Sequence, residues 1–260
     1  MPRLIVARTS DMSCMRTCIL DSSIGMRERE LDVTVDHLRP TERRRGRPWA
    51  RSLRRRVFIV CFALRTNLTL RELAAVFSIS RSQAHRIVTD LVPRLAALLT
   101  IDFDRRRSWI VDGTLVPTRD HTTAAKSKNY RWSCNLQVLV RRDLRVIAIS
   151  GGGRGNRNDP VHYCGSDIET LCRYYRRVLA DGGYRGQRHL ITPRFHGRRI
   201  IRDRAWKHHR KRRARVEHAI ARLTCWRVLR DHRRRGRHLQ DTARAVAVLH
   251  NVRIEFRDST

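Results

Sequence analysis

The sequence predicts an α/β protein: a mixed sheet flanked by helices, preceded by a small all-α region. Three observations carry that prediction. Residues 54–99 repeat apolar positions at helical spacing and contain two N-terminal capping signatures. From about residue 105 the texture changes to short apolar runs that meet glycines, with one alternating hairpin. Helical stretches at about 205–231 and 239–254 follow, and strands interleaved with helices imply a central mixed sheet. With 260 residues, 41% of them hydrophobic, the chain can bury the cores of a small domain and a larger one. The division expected is a poorly defined segment over 1–40, a helical domain over 41–100 and an α/β domain over 105–255.

Residues 1–40 show no clear period, and four methionines among the first 26 residues leave open a start downstream of Met1. "PTERRRGRPWARSLRRR" (40–56) reads as a basic linker punctuated by proline and glycine. "RRVFIVCFALRTN" is an apolar helix. Thr69 then stands three residues before Glu72, and Ser80 three before Gln83, the spacing at which a cap side chain and the third helical residue satisfy each other's backbone N–H. Thr69 opens "LRELAAVF", "SIS" turns, and Ser80 opens "RSQAHRIVTDL". This last helix buries Ala84, Ile87, Val88 and Leu91 and leaves Arg81, Ser82, Gln83, His85, Arg86 and Thr89 outward. Two helices about a tight turn, the second polar and basic, form a helix-turn-helix layout that can enter a major groove. An ordinary three-helix bundle used for dimerisation has the same pattern.

Further on, "SWIVDGTLVP" (108–117) is a short apolar strand ending in a turn and "NLQVLVRRDLRVIAISGGG" (135–153) a hairpin about a polar turn. "VHYCGSDIETLCRYYRR" (161–177) suits a helix, and "VLADGGYRG" (178–186) is a brief strand running into glycines. The glycines of "SGGGRGNRND" lack the Lys-Ser/Thr of a P-loop and read as a flexible loop.

The charge limits the partners. Against 24 acidic residues stand 57 Lys and Arg, a net +33, mostly arginine, which grips phosphate bidentately. Such a field attracts polyanions, nucleic acid first. No apolar run is long enough for a membrane span, and the N-terminus has neither the apolar core nor the cleavage site of a signal peptide. Seven cysteines without a C-x-x-C argue against a zinc site or disulfide framework. A cytosolic protein with reduced thiols is expected.

In so basic a chain the acids are informative. Asp112, before Gly113, and Asp181, before Gly182, each finish an apolar strand, placing a carboxylate at the sheet edge where α/β proteins build sites. Each also fits a turn-initiating Asp-Gly. From Lys207 to Leu223 seven lysines and arginines surround one carboxylate, Glu217. Glu217 lies beside the stripe Val216, Ile220, Leu223 and Trp226 and in line with Arg210 and Arg213, so it can face the sheet or pair with Arg213 along the helix. Three carboxylates can hold Mg²⁺, a hard cation that takes oxygen ligands, with neighbouring arginines keeping the acids ionised. Lys126, Lys128, Tyr130, Arg131 and Trp132 suit backbone contact and base stacking, or a strand edge. Asn158 and Asp159 are candidates to support the site, while His218 and His250 read as structural.

In order, "GRPW", "RTNLTLRELAAVF", "IVDGTLVPTRDHT", "SKNYRWSCNLQV", "GNRND", "VLADGGYRG", "RRARVEHAIARL", "WRVLRDHRRRG" and "AVAVLHN" span residues 46–251. Their series resembles the DDE transposases of bacterial insertion sequences that carry an N-terminal helix-turn-helix. The resemblance implies an RNase H-like catalytic domain, a catalytic and metal-binding triad Asp112, Asp181 and Glu217, and Mg²⁺, with Mn²⁺ as a substitute. Between the first two acids lie 68 residues and between the last two 35. It further implies terminal inverted repeats and target DNA as partners, bound through Arg81, Ser82, Gln83, His85, Arg86, Lys126, Lys128, Arg210 and Arg213 by a homodimer or larger assembly. Relatives commonly carry Tyr and Lys where this chain has Arg210 and Thr224. The implied activity is strand cleavage at element ends followed by transfer of the 3′-hydroxyl into target DNA. A non-catalytic DNA-binding protein and a nuclease that cuts without joining share the same basic surface.

Overall fold

In the computed structural model the described residues are 24–39, 48–101, 108–127, 131–175, 177–235 and 238–257. Lys128 and Tyr130, residues 40–47 of the 40–56 linker and residues 1–23 lie outside them.

The helical region holds α1 (Glu28–His37), α2 (Leu53–Thr66), α3 (Leu70–Phe77) and α4 (Arg81–Ala97). Both anticipated capping boxes are closed: Glu72 N–H donates to Thr69 Oγ1 at 3.3 Å and Gln83 N–H to Ser80 Oγ at 3.1 Å. Helix α4 continues past Leu91, through Pro93 to Ala97. Helix α1 has no counterpart in the sequence reading. It buries Leu31 and Val35, and its buried Glu30 faces Arg253 at 3.9 Å.

The α/β region holds β1 (Trp109–Pro117), β2 (Ala125–Lys126), β3 (Trp132–Arg141), β4 (Val146–Ile149), β5 (Gly153–Arg154), α5 (Asp159–Tyr163), α6 (Asp167–Arg173), β6 (Val178–Leu179), β7 (Leu190–Ile191), a small β8–β9 hairpin (Phe195–His196, Arg199–Ile200), α7 (Arg204–Thr224) and α8 (His238–Glu255). Strand β1 pairs antiparallel with β3 along its whole length and parallel with β6, which is parallel to β7. Strands β2, β5 and β4 share the other edge of β3. This is a mixed sheet of RNase H-like order.

Several local expectations change. Strand β1 does not stop at Asp112 but runs straight through Gly113 to Pro117. The glycine is needed for space, since a Cβ there would overlap the Asp159 carboxylate. The 161–177 helix breaks at Gly165, whose φ is +75°, and Ser166 caps its second half with a bond from Glu169 N–H at 3.1 Å. The glycine-rich segment is an edge strand rather than a flexible loop: β5 pairs with β3, and Gly155 N–H donates to Ser133 O at 2.9 Å. The long helix α7 ends at Thr224, short of residue 231.

Two apolar clusters sandwich the sheet. Trp109 and Val111 pack with Tyr163, Ile168, Cys172 and Tyr175 on one side, the Trp109 and Tyr175 rings stacked at 3.7 Å. Ile110, Val138 and Leu179 point to the other side, where α7, α8 and the helical region form one continuous core. The alternation of 109, 110 and 111 between clusters is the two-residue period of a strand. The helical region is tied to the sheet region by polar bonds as well: Arg65 to Cys225 O at 2.9 Å, Asn67 to Asp231 O at 2.8 Å and Arg234 to Thr89 Oγ1 at 3.2 Å. The five described cysteines are free.

Two histidines sit inside this core. His250 donates from Nε2 to Leu144 O at 3.0 Å, which fixes its tautomer because a carbonyl only accepts. Burial depresses both His250 and His232 from the usual 6.5 to about 4. As pH falls below 6.5 the unfolded chain takes up protons that the folded chain refuses, so stability is lost progressively down to about pH 4. Each residue is expected to contribute a loss of about 2 kcal/mol by pH 5. Urea melts at pH 7 and pH 5 check this; equal midpoints would refute it.

Candidate active site

Strands β1 and β6 set the first two acids. Their parallel register pairs Ile110 with Leu179; Asp112 lies two residues further along β1 and Asp181 two residues past the end of β6, so both lie toward the same end of the sheet. The Asp112 side chain is only 15% exposed. Gly113 N–H donates to its Oδ1 at 3.1 Å and Arg213 Nη1 to its Oδ2 at 3.1 Å. Burial drives this carboxyl up to about 6; Arg213 pulls it down, and the negative charges of Asp181 and Asp159 push it up. The arginines therefore do not hold Asp112 at an ordinary carboxylate value, because desolvation outweighs them.

Asp181 lies two residues past the end of β6 and starts a turn. Its Oδ1 accepts from Gly183 N–H at 2.8 Å, capping the 3₁₀ turn Gly182–Tyr184. Glu217 projects from α7 and is 52% exposed. It pairs with Arg213 one turn earlier, so the helical ion pair forms, yet the same guanidinium reaches Asp112. Arg213 thus links the first and third acids.

This placement turns Arg213 toward the acids, at 19% exposure. Arg210 is exposed, its guanidinium 5.4 Å over the Trp206 ring. Lys126 is exposed on β2, while Lys128 is outside the described residues. On α4, Arg81, Ser82, His85 and Arg86 are exposed. Gln83 is half-buried, and its Oε1 accepts from Ser80 N–H at 3.2 Å in the cap. Arg81 and His85 also line a cavity of about 460 Å³ together with Val228, Arg233 and Arg234.

Sequence reasoning put Asp159 in support of the acids but missed the buried polar residues that hold it. Asn135 and Gln137 on β3 and Tyr184 after β6 are buried, and Asp159 lies against Gly113. The available signal was the pair of amides spaced by two in "NLQVL", placed on one face of an otherwise apolar strand.

The donor chemistry fits a hard divalent cation: the acids offer only oxygen ligands, and the buried Asp112 shares the Arg213 guanidinium with Glu217. A guanidinium already stands as the cation between Asp112 and Glu217. Among the described residues no three His, Cys, Asp or Glu side chains are gathered closely enough to hold an ion as they stand. Asp181 is engaged by its own turn and Glu217 by Arg213, so gathering requires those contacts to exchange.

Comparison with known proteins follows the same division of the chain. Residues 111–251 match the family described as DDE superfamily endonuclease, and residues 52–101 match the helix-turn-helix of DDE superfamily endonuclease. A protein of Streptomyces albus G, named "Putative transposase for insertion sequence element IS112", is 42% identical over 217 residues, covering 80% of this chain and 83% of its own.

Proposed function

Because this chain belongs to the DDE superfamily endonucleases and is a transposase-family protein, we propose that it cleaves DNA at the ends of an insertion sequence and joins the freed 3′-hydroxyl to target DNA. The single observation that supports this reading is the parallel pairing of β1 with β6, which carries Asp112 and Asp181 toward the same end of the sheet, with Glu217 linked to Asp112 through Arg213.

Asp112, Asp181 and Glu217 would hold Mg²⁺, for which Mn²⁺ can substitute. When bound, such ions activate a water or hydroxyl and neutralise the leaving oxygen in phosphodiester displacement. The protein's own contribution is positional. The rigid β1–β6 pairing fixes two carboxylates, and α7 brings the third. Arg213 holds Asp112 and Glu217 in place while they lack an ion, and exchange of that contact leaves its guanidinium to meet a DNA phosphate. Arg210 and Lys126 supply further phosphate contacts. Arg81 and Arg86 anchor α4 on the DNA backbone, leaving Ser82 and His85 to reach base edges. Inverted repeats at two ends imply a homodimer or larger complex.

The reading is tested by incubating the full-length protein with Mg²⁺, a target plasmid and a DNA carrying the sequences that flank its gene. Joined product is the expected result. Cut but unjoined DNA would reassign the chain as a nuclease, and binding with neither product would reassign it as a DNA-binding regulator. No described helix is long and apolar enough to cross a membrane.

A further inference from the structure

Behind the acids a hydrogen-bonded chain runs in one direction. The Tyr184 hydroxyl donates to Gln137 Oε1 at 2.5 Å, Gln137 Nε2 donates to Asn135 Oδ1 at 2.9 Å, and Asn135 Nδ2 donates to Asp159 Oδ1 at 2.5 Å. Tyr184 and Gln137 are fully buried and Asn135 nearly so. Donors aligned in the same sense polarise one another in a low-dielectric interior, and here all of them end on one carboxylate.

That carboxylate is set against Gly113, the residue after Asp112. A side chain at 113 would occupy its place, so the glycine leaves Asp159 and the strand in direct contact. The charges of Asp159 and Asp181 both act on Asp112, and all three acids act on Tyr184. Holding another negative charge beside a buried acid works against a folded state that has no cation. The same arrangement assists a pocket that takes one.

We infer that Asp159 is a positioning residue: a fixed negative charge behind Asp112 and Asp181, held by the Tyr184–Gln137–Asn135 relay, that strengthens their grip on a divalent cation. This rests on the reading above that Asp112 and Asp181 hold the ion. Asp159 itself makes its contacts with β3 and the Gly113 backbone, on the side of the sheet where Tyr184 packs.

The test is Mn²⁺ binding to the full-length protein without DNA, followed by titration calorimetry. Asp159→Asn, nearly the same in shape, is expected to weaken binding about tenfold, as loss of a group that supports metal ligands typically does. Tyr184→Phe, which removes the first donor of the relay, is expected to weaken it less but in the same direction, with a cooperative melt showing that it folds. Wild-type Mn²⁺ affinity in folded Asp159→Asn overturns the inference. Should that variant fail to fold, wild-type affinity in Tyr184→Phe overturns it instead. Asp112→Asn separates the two levels. If Asp112→Asn also binds Mn²⁺ like wild type, the ion pocket itself is refuted and Asp159's part with it. If Asp112→Asn loses the ion while Asp159→Asn keeps it, only Asp159's part is refuted.

Discussion

Asp112→Asn is expected to slow strand cleavage at least about a thousandfold, equivalent to about 4 kcal/mol of lost transition-state stabilisation, while DNA binding persists. The amide keeps the acceptor for Gly113 N–H and fits the same space, but it carries no charge for a cation. The variant should also melt no lower than the wild type. Asp112 is pushed up to about 6 chiefly by burial, so at neutral pH the folded state bears an anion that it solvates poorly. An acid whose folded value is raised lowers stability as pH climbs through the window between its ordinary value and about 6, and a neutral side chain removes that cost. Gel-based cleavage assays and thermal melts on the same preparations check both halves. Wild-type cleavage by Asp112→Asn would eliminate the triad.

DNA affinity is expected to fall about a thousandfold or more between 50 and 200 mM salt, the range for a protein that neutralises six or more phosphates. The net charge of +33 and the exposed Arg81, Arg86, Arg210 and Lys126 supply that many cations with their neighbours. Arg86→Ala should reduce the log–log salt slope by about one and weaken binding alike on all sequences. Ser82→Ala should leave the slope unchanged and alter preference among sequences instead. Fluorescence anisotropy across a salt series distinguishes these behaviours. A slope that does not respond to Arg86→Ala would remove α4 from the DNA surface.

What the sequence disclosed depended on how local each signal was. The caps at Thr69 and Ser80 involve residues three apart, so they could be read before any tertiary structure existed. Asp112 and Asp181 are legible because apolar strands precede both, but Gly113 does not end its strand: it makes room for the approach of Asp159. That approach joins residues 46 positions apart, and no local pattern encodes it. Strand β3 is buried on both faces, so Asn135 and Gln137 did not stand out as an inner polar pair. Helix α1 was missed because only a narrow stripe of it meets the core, and charged residues dilute that stripe in the sequence. The pairing of Arg213 with two acids was half visible, since the bond to Glu217 is a helical neighbour contact and the bond to Asp112 is not.

The single apolar cluster shared by the α2–α4 helices, α8 and one side of the sheet has a mechanical consequence. A DNA reader suspended on a loose tether could tolerate varied distances between the sequence it recognises and the bond to be cut. Here the helical region is fastened to the sheet region through Arg65 and Asn67 at the end of α2 and Thr89 on α4, so on the proposed function the protein is expected to act as a ruler. Inserting half a helical turn of base pairs between recognition sequence and element tip should swing the scissile phosphate to the wrong side of the duplex, and a full turn should carry it out of reach.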